Sequence, residues 1–293
     1  MSPVEIKTAS TAAQSAALAG AQSSGPRREI VRCGSAEMAV FHLDGESGGP
    51  APLLIWAHGW GHTHRAFLPL AESVRRTASS ILIDFPGFGA SPPPPAVWGT
   101  ADYADAMAEW IATLPAGPRV WIGHSFGCRV GLQLAARHPE AVNGMVLIAA
   151  AGLPPHRSAA ARMRIAARRW AFRLARSVTP EGPARDRLRE RFGSADYRQA
   201  GAMRPILVKT VSENLSDVAR AVRCPVALLY GENDRETPPE IGERLQRLIP
   251  NAQLHVLRGF DHWNLLTEVL PYEPVTATTI GSSRMSVSCA SCQ

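Results

Sequence analysis

Three residues that lie far apart in the chain are of the types that build a nucleophilic triad. Ser125 stands in the run Gly123-His-Ser-Phe-Gly127, between a strand-like apolar run and a helix-like apolar run. This pattern predicts a tight strand-to-helix turn that presents the Ser125 hydroxyl at a helix N-terminus, where the helix dipole favours a developing oxyanion. A serine hydroxyl is a weak nucleophile at neutral pH, so a neighbouring base must activate it.

The candidate base is His262, which follows the last predicted strand of the chain. An imidazole that accepts a proton needs a carboxylate to fix its tautomer and stabilise its charge. Asp234 comes just after another predicted strand, and we favour it as that carboxylate. Two acidic residues compete with it: Glu232, which we interpret as a turn residue, and Asp261, which is too close in sequence to His262 to orient its ring.

The elements that must position these residues follow from the apolar pattern. Continuous apolar runs predict buried strands at 53–57, 81–83, 119–122, 145–149 and 226–230, with a last strand at 253–257. Two alternating runs at 29–33 and 37–43 predict antiparallel edge strands, and helical spacing appears at 67–76, 102–114 and 239–248. Alternation stops between Gly152 and Arg223, where only helices and turns are predicted. The chain is therefore predicted to be a parallel α/β sheet with one helical insertion.

The domain organisation follows from the same reading. We predict a disordered leader at 1–27, a core formed by 28–152 and 224–270, and a helical cap at 153–223. Pro271 and Pro274 end the last helical segment, so residues 271–293 are predicted to be an irregular tail.

This pattern resembles the α/β-hydrolase family over roughly residues 29–268. The motifs that carry the resemblance are His58-Gly-Trp-Gly61, Asp84-x-Pro-Gly-x-Gly-x-Ser91, Gly123-x-Ser-x-Gly127, Tyr230-Gly-x-x-Asp234 and His262. The resemblance implies a mostly parallel sheet of the eight-stranded type, with helices on both faces and a helical cap. It also implies a serine hydrolase whose triad follows the order Ser125, Asp234, His262.

The resemblance further implies an oxyanion hole formed by the backbone N–H groups of Trp60 and Phe126. We expect the substrate pocket to be lined by His58, Gly59, His124, Leu153, Trp170 and Trp263. The expected activity is the hydrolysis of small to medium carboxylic esters without a cofactor. Hydrolysis of C–C bonds in ring-cleavage diketones, acyl transfer and perhydrolysis stay open on the same triad, as does a non-catalytic ligand-binding protein of the same fold.

The composition of the chain argues against a nucleic-acid-binding protein. The net charge is +6, but 29 of the 31 basic residues are arginines and no nucleic-acid motif accompanies them, so we do not expect nucleic-acid binding.

No apolar run approaches the length of a membrane span and no secretory signal is recognisable, so we expect a cytoplasmic protein whose five cysteines are reduced. His58, His62 and His64 lack flanking carboxylates, and Cys289-x-x-Cys292 lacks a second pair, so no metal is expected.

The predicted cap carries a strong positive charge. Between His156 and Arg204 there are 13 arginines and four acidic residues. We favour a lid helix whose apolar face, which includes Met163, Trp170 and Leu174, covers the active site while its arginines are solvated. Attraction of anionic substrates and docking on an anionic bilayer are the alternative interpretations.

Overall fold

The computed structural model describes residues 25–46, 51–154, 159–179 and 195–267. Its centre is one eight-stranded sheet in the order β1-β2-β4-β3-β5-β6-β7-β8. The strands are β1 (Arg27–Cys33), β2 (Ala36–Leu43), β3 (Leu53–Ala57), β4 (Ser80–Asp84), β5 (Arg119–His124), β6 (Gly144–Ile148), β7 (Val226–Gly231) and β8 (Ala252–Leu257). β2 pairs antiparallel with both β1 and β4, and every other pairing is parallel. The predicted mostly parallel sheet is confirmed.

Helices surround this sheet. In the described residues they are α1 (Leu68–Ser73), α2 (Thr100–Ile111), α3 (Phe126–Arg137), α4 (Ala159–Val178), α5 (Ala195–Gln199), α6 (Arg204–Ser212), α7 (Ser216–Ala221), α8 (Pro239–Leu248) and α9 (Asn264–Thr267). Short 3₁₀ turns cover His64–Ala66 and Gly201–Met203.

The sheet is apolar on both faces because a parallel strand between two helical layers is buried on both sides. Successive residues of β3 illustrate this: Ile55 belongs to one apolar cluster and Trp56 to the other. The first cluster includes residues of α2, α3 and α8, such as Met107 and Leu245, and the second includes residues of α1 and α9, such as Leu70. The predicted placement of helices on both faces is confirmed.

The register brings the ends of the parallel strands to one edge. Ala57 of β3 pairs with Gly123 of β5, and His124 pairs with Ile148 of β6. Gly231 of β7 pairs in turn with Leu257 of β8. Each functional segment predicted from the sequence follows one of these ends, so the loops that carry them emerge side by side.

The described elements between residues 153 and 223 are all helical. Within that range the segment that contains α6 packs against the core: Arg129 of α3 donates from Nη1 to the Thr210 carbonyl oxygen at 3.0 Å. The Glu213 carboxylate accepts the Thr100 N–H at 3.0 Å, and Lys209 Nζ lies 2.9 Å from Asp102. These contacts tie this part of the predicted cap to α3 and to the N-terminus of α2.

Several predicted segments lie outside the described residues: 1–24 of the leader, the whole tail at 271–293, and the Cys289/Cys292 pair with it. Arg27, which we assigned to the leader, is the first residue of β1. None of the helices in the described part of the chain is both long and apolar enough to cross a bilayer.

Candidate active site

Ser125 occupies the sharp turn between β5 and α3. Its backbone has φ 45° and ψ −98°, a strained conformation for a residue with a side chain. The Ser125 N–H donates to the Ile148 carbonyl oxygen at 3.0 Å, which ties the turn to β6. Position 127 requires glycine, because a Cβ there would lie 2.0 Å from the Ala57 carbonyl oxygen. The predicted turn is therefore present, and it leaves Ser125 partly exposed.

Asp234 lies in the loop after β7 and its carboxylate is buried. Oδ1 accepts the N–H groups of Glu236 and Thr237, each at 2.8 Å. Oδ2 accepts the Thr237 hydroxyl at 2.7 Å and His262 Nδ1–H at 2.8 Å. Burial raises the pKa of Asp234, but these hydrogen bonds outweigh it and hold the pKa below its ordinary value. The carboxylate is therefore ionised and fixed.

The two competing acidic residues have other partners. Glu232 accepts the Gly259 N–H at 3.3 Å and so joins two neighbouring loops. Asp261 is exposed and accepts the N–H groups of Trp263 and Asn264, each at 2.9 Å, which fixes the turn that precedes the short helix α9. Of the three candidates, the structure brings only Asp234 to the His262 ring.

His262 is 4% exposed and follows β8. Because Nδ1–H donates to Asp234, Nε2 is the nitrogen that can accept a proton. Nε2 lies 3.6 Å from the Glu236 carboxylate, and it makes no hydrogen bond to the Ser125 hydroxyl in this structure. The structure thus joins His262 to Asp234 directly. Ser125 follows β5, which β6 and β7 separate from β8, but the His124 ring just before it lies with its centroid 4.8 Å from that of His262.

The two predicted oxyanion donors are backbone groups. Phe126 is the first residue of α3, and Trp60 lies in the loop after β3. Neither N–H donates to an acceptor within the described part of the chain. The Trp60 ring packs edge-on against Phe88 and Phe126, with centroids 4.9 and 5.6 Å away. These N–H groups are free to bind an anion at the helix N-terminus.

His58 and His124 are buried and support the site from beneath. His58 donates from Nδ1 to the Gly59 carbonyl oxygen at 2.7 Å, and its Nε2 accepts the Phe85 N–H at 3.1 Å. His124 donates from Nε2 to the His262 carbonyl oxygen at 3.3 Å. Burial lowers the pKa of His58 to about 4 and that of His124 to about 3, so both rings are neutral. His58 thereby links the loop after β3 to the segment after β4, and His124 links the end of β5 to the loop after β8.

Other predicted pocket residues occupy three different environments. A Cβ on Gly59 would lie 2.6 Å from His124 Nδ1, so this position accepts only glycine. Leu153 is buried, while Trp263 is half-exposed with its ring centroid 5.1 Å from that of His262. Trp170 differs from the prediction: it is 67% exposed on α4, because the face that carries it points to solvent.

The histidines that follow β3 do not converge on one point. The His62 ring stacks on Trp263 at a centroid distance of 5.2 Å, and His64 Nδ1 lies 3.0 Å from Asp84. Among the residues that the structure describes, no three His, Cys, Asp or Glu side chains group as metal ligands.

Sequence reasoning missed Thr237 and Glu236. The buried Thr237 hydroxyl lies 2.7 Å from Asp234 Oδ2, 3.2 Å from His262 Nδ1 and 3.2 Å from the Ala149 carbonyl oxygen. An aspartate followed three residues later by threonine in a turn is a pattern in which side chains bond the local backbone, and it could have indicated Thr237. The proximity of Glu236 to Nε2 has no comparable signal.

Comparisons with known proteins agree with this architecture. Residues 54–270 match the model of the Alpha/beta hydrolase family. The chain is 30% identical over 232 residues to a pimeloyl-[acyl-carrier protein] methyl ester esterase of Chromobacterium violaceum, covering 74% of this chain and 89% of the relative. It is 28% identical over 250 residues to the 2-(acetamidomethylene)succinate hydrolase of Mesorhizobium japonicum, covering 79% and 88%.

A solved structure of an E-2-(acetamidomethylene)succinate hydrolase superposes with a TM-score of 0.61 at 26% identity, covering 87% of this chain and 98% of that one. The family match covers the sheet from β3 onward and both loops that carry Asp234 and His262. The chain belongs to the alpha/beta hydrolase family and is a hydrolase of that fold.

Proposed function

We propose that this chain is a serine hydrolase of small to medium carboxylic esters, with Ser125 as nucleophile, His262 as base and Asp234 as its orienting carboxylate. The observation that supports this most directly is the buried Asp234–His262 pair at 2.8 Å, beside the strained turn of Ser125. The named relatives include a methyl ester esterase, which favours an ester as substrate.

In the proposed first step, rotation about the Ser125 Cα–Cβ bond brings its hydroxyl to His262 Nε2 as the substrate binds. Hydrogen bonds of this kind commonly tighten only in the substrate complex. Nε2 takes the hydroxyl proton while Oγ attacks the ester carbonyl carbon, and Asp234 stabilises the resulting imidazolium. The Trp60 and Phe126 N–H groups donate to the oxyanion that forms.

Collapse of the tetrahedral intermediate transfers the proton from His262 to the leaving alkoxide and leaves an acyl group on Ser125. Water then attacks this acyl-enzyme, again with His262 as base, and releases the carboxylic acid. The half-exposed Trp263 and the partly buried Trp60 lie beside these groups and are placed to contact the acyl chain. No step requires a cofactor.

A fluorophosphonate probe followed by peptide mapping tests the nucleophile. We expect labelling at Ser125 in the folded protein, and loss of labelling in His262→Ala. Folded protein that takes no label would favour the non-catalytic ligand-binding alternative.

A substrate panel tests the reaction. We expect turnover of p-nitrophenyl and methyl esters of short and medium acids at rates well above those of a ring-cleavage diketone. Faster turnover of the diketone would favour C–C hydrolysis, and transfer to an added alcohol or to hydrogen peroxide in preference to water would favour the acyltransferase or perhydrolase alternatives.

A further inference from the structure

The helix α4 presents an apolar stripe to solvent. Met163, Trp170 and Leu174 are 71%, 67% and 52% exposed. They are spaced seven and then four residues apart, which places them on one face of an α-helix. Large apolar side chains that are exposed together on one helix face mark a surface that contacts something else.

This arrangement differs from the lid helix predicted from the sequence. In that interpretation the same face covers the active site and its apolar side chains are buried. In the structure the stripe faces solvent instead. A lid helix whose apolar face is buried over the active site does not describe this arrangement.

The charge of α4 indicates what the stripe contacts. The helix contains six arginines and no acidic residue among its 20 residues. Arg164 and Arg173 are exposed, and the helical period places them on opposite sides of the apolar stripe. The arrangement therefore combines a tryptophan, a leucine and a methionine with flanking cations along a helix about 30 Å long.

We propose that α4 docks this protein on the surface of an anionic lipid bilayer, with Met163, Trp170 and Leu174 inserted at the headgroup boundary and with Arg164 and Arg173 facing lipid phosphates. An amphipathic helix with cationic flanks and a tryptophan on its apolar face is the form that lies in the membrane interface. A second copy of this chain fits less well, since pairing two such stripes would bring the flanking cations Arg164 and Arg173 of both copies together. The proposal is independent of the chemistry at Ser125.

Vesicle flotation of the full-length chain tests it, with phosphatidylcholine vesicles compared with vesicles that contain 30% phosphatidylglycerol. We expect the protein to float with the anionic vesicles only, and to be released by raising the salt concentration. The double variant Arg164→Gln/Arg173→Gln should lower the partition coefficient roughly 30-fold.

The matched control is Arg28→Gln/Arg76→Gln, which removes the same charge from exposed positions outside α4. This control should change the partition coefficient by less than threefold. An equal loss in both double variants would show that net charge alone drives binding, and would overturn the assignment to α4.

The stripe has its own test, because Trp170→Ala/Leu174→Ser removes apolar contact without changing charge. We expect at least a tenfold loss of binding to anionic vesicles at an unchanged melting temperature, together with quenching of wild-type tryptophan fluorescence by brominated lipid chains. Three results would overturn the proposal: no flotation of the wild type, flotation that this variant leaves unchanged, or a wild-type dimer in sedimentation velocity that the variant dissociates.

Discussion

Two aspartate–histidine pairs lie at the same edge of the sheet, and they differ in what surrounds them. Asp84 accepts from His64 Nδ1 at 3.0 Å, and Asp234 accepts from His262 Nδ1 at 2.8 Å. Both carboxylates are buried. In both, burial raises the pKa and hydrogen bonds bring it below the ordinary value.

The Asp84–His64 pair holds two loops together. Asp84 also accepts the His64 N–H at 2.6 Å and the Ala90 N–H at 2.9 Å, so one carboxylate joins the segments that follow β3 and β4. The His64 ring stacks on Phe41, with centroids 3.4 Å apart. The second pair lies next to the Ser125 turn. We therefore propose that the two pairs differ in role: Asp84–His64 holds two loops together, whereas Asp234–His262 serves the proposed nucleophile.

Removing each imidazole in turn gives the largest expected difference between the pairs. We expect His262→Ala to lower kcat by about 10⁴–10⁶-fold, since the base that activates Ser125 is lost. His64→Ala should leave kcat within about threefold and lower the free energy of unfolding by about 1–3 kcal/mol. Ester hydrolysis and urea unfolding of both variants measure this, and similar kcat values in the two variants would contradict the assignment.

The carboxylates give the next largest difference. Asp234→Asn should reduce kcat by about 10⁴-fold, because the amide no longer holds the imidazole in the required tautomer. Asp84→Asn retains the shape of the loop and should act on stability, with kcat within about fivefold of the wild type. If Asp84→Asn lost activity as strongly while remaining folded, the distinction between the pairs would fail.

Thr237 sharpens the comparison, because its hydroxyl lies 2.7 Å from Asp234 Oδ2. Thr237→Val removes a hydrogen bond to a charged group, and we expect kcat to fall about ten- to hundredfold with little change in KM. Thr237→Ser should restore most of the activity, because it returns the hydroxyl. A lower melting temperature without a change in kcat would indicate a structural role alone.

His58 and His124 extend the comparison to rings without a hydrogen-bonded carboxylate. In the folded chain their pKa values are about 4 and about 3, below the ordinary 6.5. At pH values between the folded and the ordinary pKa, each ring therefore binds more protons in the unfolded chain than in the folded chain. The free energy of unfolding should therefore fall as pH drops from 6.5 toward 4, by up to about 1.4 kcal/mol per pH unit for each ring. Urea unfolding at several pH values measures the slope, which His124→Asn should reduce by about half.

The smallest expected effect is at Glu236, whose carboxylate is 3.6 Å from His262 Nε2 but whose side chain is 55% exposed. Solvent screens such a pair, so Glu236→Gln should change kcat/KM by no more than about threefold. A loss of a hundredfold would place Glu236 in the catalytic machinery.

The sheet was predictable because its strands are continuous apolar runs, and the Ser125 turn because only glycine fits at 127. Asp234 and His262 could be located by their places after two predicted strands. Thr237 and Glu236 could not, since their contacts depend on how one loop folds back on itself. Nor could the exposure of Trp170, because an apolar helix face looks the same in the sequence whether it covers a pocket or faces solvent.

The close approach of the Gly127 backbone to Ala57, which leaves no room for a Cβ at position 127, has an evolutionary consequence. Here the backbone of the first turn of α3, which contains Phe126, passes close to the last residue of β3, and Trp60 lies in the loop that follows β3. If the Phe126 and Trp60 N–H groups are the oxyanion donors that we propose, side chains around the site can be exchanged over generations while the spacing of the two donors is inherited unchanged. A lineage built this way can diversify its substrates and keep its reaction chemistry.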